Sequence, residues 1–83
     1  MSIYEAADCV RRDLPGYRIE EGYKFRGKYV FHLSDPSDVP SPAGTIVEVL
    51  ENGTVVTADW DELFSYLEEL ENAQKNSVVF GQI

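Results

Sequence analysis

A chain of 83 residues with seven Lys and Arg against fifteen Asp and Glu carries a net charge of −8. That balance repels phosphates and anionic lipid headgroups, which argues against direct nucleic acid binding and favours basic protein partners. With 43% hydrophobic and 12% aromatic residues it is expected to fold as one domain over residues 1–83, too small for a deep enclosed pocket.

The charge is unevenly placed. Six of the seven basic residues lie between Arg11 and Lys28, whereas Tyr29 to Gln74 holds ten acids and neither Lys nor Arg. No apolar run approaches the ~18 residues of a membrane span, and no basic-then-apolar leader opens the chain. The single cysteine, Cys9, has no partner for an internal disulfide. Together these features lead us to expect a cytoplasmic protein of a bacterial or phage-infected cell.

Ser2 and Glu5 have the spacing of a capping box, and Ile3, Ala6, Ala7, Val10 and Leu14 then recur on one helical face. Leu14-Pro15-Gly16 ends that helix. Tyr17–Phe25 alternates, with Tyr17, Ile19, Tyr23 and Phe25 on one side and Glu21 intruding; Gly22 is a candidate bulge. Lys28–Ser34 alternates as well, with Tyr29, Phe31 and Leu33 together. A three-residue loop, Phe25-Arg26-Gly27, brings these apolar sides onto one face by setting Tyr23 against Tyr29 and Ile19 against Leu33.

Residues 34–44, SDPSDVPSPAG, read as a connecting loop carrying Asp35 and Asp38. Thr45–Thr57 follows as a second hairpin around Asn52-Gly53, a two-residue turn that pairs Glu51 with Thr54 and sets Val49 against Val56 and Val47 against Ala58. Asp59 caps a final helix in which Trp60, Leu63, Phe64, Leu67 and Leu70 form one apolar stripe, opposite Asp61, Glu62, Glu68 and Glu69. The uncharged tail with Val78, Val79, Phe80 and Ile83 either extends a sheet edge, docks on apolar surface or pairs with a second copy. The expected fold is α+β: a two-layer, four-stranded antiparallel sheet of two hairpins with helices on one face, in the order αββββα plus a short tail.

Chemistry-bearing residues are sparse. His32 is the only histidine, and with Cys9 it lacks the company that zinc or a nucleophilic site requires. We expect no metal, no cofactor and no enzymatic activity. Tyr17, Tyr23, Tyr29 and Phe31 interleave with Arg18, Lys24, Arg26 and Lys28, but core packing accounts for the rings better than stacking on bases.

Two stretches, LPGYRIEEGYKFRGKYVF at 14–31 and GTIVEVLENGTVV at 44–56, resemble small α+β proteins of bacterial prophages and mobile elements, including toxin-immunity proteins. The shared pattern is a Pro-Gly helix exit, an aromatic-Val-Phe strand, an Asp/Pro loop and a hairpin with a glycine turn. The second turn departs from it, a shorter Glu-Asn-Gly standing where a Thr-Gly turn is usual. The resemblance implies an accessory protein of phage or bacterial origin and brings no site residues with it.

The expected function is therefore that of a non-enzymatic binding protein, an inhibitor of the anti-defence or immunity kind. Asp35, Asp38, Asp61, Glu62, Glu68 and Glu69 would meet a basic protein partner. The alternative is an assembly module, monomer or homodimer, that self-associates through Val78, Val79, Phe80 and Ile83.

Overall fold

The computed structural model describes residues 1–34 and 45–80. They form α1 (Ile3–Asp13), β1 (Arg18–Phe25), β2 (Lys28–Ser34), β3 (Thr45–Val49), β4 (Val55–Thr57), α2 (Trp60–Ser65), α3 (Leu67–Lys75) and β5 (Val78–Val79). The α+β class holds. The strands make one antiparallel sheet in the order β4-β3-β2-β1-β5, so the tail contributes a fifth strand beyond the four expected. The predicted connector, apart from Ser34 at the end of β2, lies outside the described residues, as do Asp35, Asp38 and Ile83.

Helix α1 begins as its capping box predicts. The Glu5 amide donates to Ser2 Oγ and the Ser2 amide to Glu5 Oε1, each at 3.2 Å. Arg11 and Arg12 fall in the last turn, where positive charge suits the helix dipole.

The two hairpin turns exchange the lengths expected of them. The first is the two-residue turn Arg26-Gly27, with φ of 49° and 80° and Phe25 opposite Lys28. Those angles match the mirror-image turn whose twist suits a hairpin. The second is a three-residue loop, Glu51-Asn52-Gly53, in which Gly53 takes φ 85° and Leu50 and Thr54 close the ladder. Register moves by one residue as a result. Val49 faces Val55 and Val47 faces Thr57, in place of the expected Val56 and Ala58.

Both corrections share a cause. The expected registers put the main apolar rows on one core face and left the other half apolar, but this sheet is covered on both. Against one face α1 packs Ala6, Ala7 and Val10 onto Ile19, Tyr29, Phe31, Leu33, Val47 and Val49. On the other, Leu63 of α2 and Leu70 of α3 pack onto Tyr23, Phe25, Val30 and Ala58. The molecule thus has three layers, helix, sheet and helices, where two were expected. Tyr23 lies opposite Val30 and on the far face from Phe31.

The bulge sits at Glu20, between Ile19 and Glu21, and not at Gly22. It flips the alternation of β1, so Ile19 faces α1 while Tyr23 and Phe25 face the other helices. Gly22 has a different task. A Cβ there would stand 2.5 Å from Cδ1 and Cε1 of the fully buried Phe31 ring, so only glycine lets that ring lie across the strand.

The C-terminal helix is also corrected. It breaks at Tyr66 (φ −122°, ψ 45°) into α2 and α3.

Candidate functional site: the α2–α3 face

The face beneath α2 and α3 is built from cross-strand rows. One runs Tyr23–Val30–Glu48–Val56, and Lys28 follows beside Phe25 one row towards the turns. Glu48 is only 3% exposed. Its Oε2 accepts from Lys28 Nζ at 2.9 Å, and the same ammonium reaches Glu62 Oε1 of α2 at 2.9 Å. Among the described residues Glu48 Oε1 is buried without a hydrogen-bond partner. Burial pulls the Lys28 pKa down, but the bonds from Glu62 and Glu48 and their charges outweigh it and leave the pKa above its ordinary value. Lys28 is therefore a cation clamped between sheet and helix.

A second clamp acts further along. Arg26 donates to Glu69 of α3 at 2.9 Å, and its guanidinium lies 3.8 Å from the centre of the Tyr66 ring. The bond to Glu69 raises the Arg26 pKa against the opposing effect of burial.

These clamps explain which side of the helices is buried. Glu62, Tyr66 and, past the break, Glu69 of α3 make up the gripped flank. Lys28 and Arg26 hold that flank toward the β1–β2 hairpin. Three apolar side chains of the two helices are turned out instead. Trp60 is 45% exposed, Phe64 59% and Leu67 49%. Of the expected five-residue core stripe, only Leu63 and Leu70 are buried, and the other three face solvent. The Trp60 and Phe64 rings stack, with centroids 5.5 Å apart and planes at 21°. Contiguous exposed apolar surface of this kind marks contact sites on small domains.

The candidate acids divide. Glu62 and Glu69 are held by Lys28 and Arg26, whereas Asp61 and Glu68 are exposed and make no ion pair among the described residues; Glu71 joins them. Two of the candidate acids are thus neutralised by early basic residues that fold back onto the helices. Asp59 caps α2, accepting from the Asp61 and Glu62 amides at 3.0 and 3.3 Å.

In the tail, Val78 and Val79 pair with Gly22 and Glu21 of β1 within the same chain, and the Phe80 amide donates to Glu20 O at 2.9 Å. Phe80 packs on the α1 core beside Phe31, leaving Val79 as the outward residue. Cys9 and His32 lie on opposite sides of the sheet and cannot form a dyad. His32 Nε2 instead meets the Tyr23 hydroxyl at 3.2 Å, with Nδ1 3.8 Å from Glu21 Oε1. Burial raises the Tyr23 pKa, opposed by a hydrogen bond with Gln74, so the phenol is kept neutral.

Sequence reasoning missed Trp60, Phe64 and Leu67 as surface residues, and Glu48 and Lys28 as a buried pair. For Glu48 a signal existed, since it sits between Val47 and Val49 in a run too apolar for a strand with one wet face. Among the described residues no group of His, Cys, Asp and Glu is placed to hold a metal ion, and no helix is long and apolar enough to cross a membrane.

The fold and its outer face define a small α+β domain with an aromatic and acidic surface. No protein-family model, curated protein or solved structure matches the chain. The likeness to prophage accessory proteins rests on the quoted motifs alone.

Proposed function

We propose that this protein is a binding domain that captures a basic protein through the outer face of α2 and α3, in the manner of an inhibitor encoded by a phage or mobile element. The observation that carries this reading is the exposure of Trp60, Phe64 and Leu67 on helices that also present Asp61, Glu68 and Glu71, carboxylates with no ion pair among the described residues. Leaving a large apolar side chain in water forgoes roughly 1.5–3 kcal/mol of burial. Aromatic anchors ringed by charge are the usual composition of a contact hot spot, and acids speed the approach of a basic partner.

The test is affinity capture from host lysate at low and high salt. Wild-type protein is expected to retain basic proteins, and less of them at high salt, where exposed charges are screened within about 10 Å. Trp60→Ala with Phe64→Ala should abolish retention, and Asp61→Lys with Glu68→Lys should abolish it at low salt. These positions avoid Glu62 and Glu69, whose reversal would break the clamps to Lys28 and Arg26. Retention unchanged by both pairs of substitutions would overturn the proposal.

A further inference from the structure

Strand β4 is an edge of the sheet, and its outer side is unpaired among the described residues. The Leu50 amide donates to Thr54 O at 2.9 Å and the Ala58 amide to Ile46 O at 3.1 Å. Antiparallel pairs alternate between bonded and non-bonded, so Glu48–Val56 is the bonded pair between these two. The amides and carbonyls of Val55 and Thr57 therefore point away from the sheet, a ready template for another strand. Beside this edge, on the α2 side, lie the half-exposed Val56 and the first turn of α2, which follows β4 after only Ala58 and Asp59. On α2, Leu63 is buried and Glu62 is held by Lys28, while the stacked Trp60 and Phe64 are exposed.

We infer that β4 receives an extended segment of the partner as a sixth strand, one bearing Arg or Lys at every second position. This rests on the proposed reading of the α2–α3 face as the site for a basic partner. Two properties of the surface select that occupant. An extended chain satisfies the outward backbone groups of Val55 and Thr57, which a helix cannot do. In a strand, alternate side chains fall on one side, here the side of Val56 and the aromatic stack. Arginine or lysine stems can lie along those rings, with the charge over the ring faces and in reach of Asp59 and Asp61. A second copy of this chain is disfavoured as occupant, because it would bring like carboxylates together.

The experiment uses the full chain and a synthetic peptide of alternating arginine and threonine, with binding followed by Trp60 fluorescence. Two further peptides carry N-methyl groups, one on every arginine amide and one on every threonine amide. Pairing with β4 uses one of these amide sets, so one methylated peptide is expected to bind weaker on the order of tenfold or more, while the other stays near the parent. Thr57→Pro, which removes an outward amide without breaking a ladder bond, should weaken the parent peptide similarly while leaving the thermal melt near wild type. Equal binding by all three peptides overturns the strand mode. If that binding still disappears in Trp60→Ala and Asp61→Lys, capture of a basic partner stands and only the strand geometry falls; if it does not, both fall.

Discussion

Lys28 is the residue on which the α2 side of the molecule turns, because its ammonium bonds to a carboxylate in the sheet and to another on the helix. Glu48 is the more exposed to damage of the pair energetically. Among the described residues one of its buried oxygens has no partner, and its ion pair is with Lys28. Lys28→Met is expected to destabilise the fold by about 3–5 kcal/mol, since removing one partner strands a buried charge. Adding Glu48→Leu should recover most of that loss, the two apolar chains replacing the ions. Urea unfolding of the single and double variants measures this, and a single variant as stable as wild type would contradict a buried charge held by Lys28. Gly22 was legible as an unusual strand glycine, but its cause was not: the Phe31 ring that needs the space comes from the neighbouring strand.

Helix α2 has only six residues and one buried side chain, Leu63, so its ends matter more than its middle. Asp59→Ala removes the acceptor for two amides and should cost about 1 kcal/mol, with faster hydrogen exchange confined to the first turn of α2. Asp59→Asn should keep most of the stability, because an amide oxygen caps nearly as well. Both starts of the helical segments that carry side-chain caps, at Ser2 and Asp59, were readable from the sequence because a cap is a local contact. The break at Tyr66 was not. No proline or glycine marks it, and what holds Tyr66 is Arg26, forty residues earlier in the chain. The turns were half legible: glycine marked both positions correctly, while loop length followed from a register that neither hairpin sets alone.

Across the whole molecule the charge map acquires a new meaning once the chain is folded. Basic residues of the first hairpin neutralise part of the acidic helices, leaving Asp61, Glu68 and Glu71 exposed to solvent. This predicts a stability flat through neutral pH and falling in alkali. Lys28 and Tyr23 both have folded pKa values raised above their ordinary 10.5 and 10.0. A raised group binds its proton more tightly in the fold, so its contribution is complete below the unfolded value and is lost as pH climbs through the folded one. Thermal melts should hold steady to about pH 10 and then drop. Lys28→Met combined with Glu48→Leu should lessen the drop, leaving the part due to Tyr23. A stability that instead rises above pH 10 would contradict the clamp.

The sequence by itself determined the short-range features: where helices begin, where glycines let the chain turn, which runs are strands, and the excess of negative charge. Each depends on residues a few positions apart, whose sterics and hydrogen bonds act before any tertiary contact forms. Only the tertiary structure decided that the sheet is covered on both faces. That in turn placed Glu48 inside, moved the pairing of both hairpins near their turns while Ile19 kept Leu33 opposite it, and left Trp60 and Phe64 outside. An alternating strand states which residues share a side but not whether the other side is wet, and a helical stripe does not say which of its borders will be turned inward. Here ion pairs from the distant first hairpin made that choice.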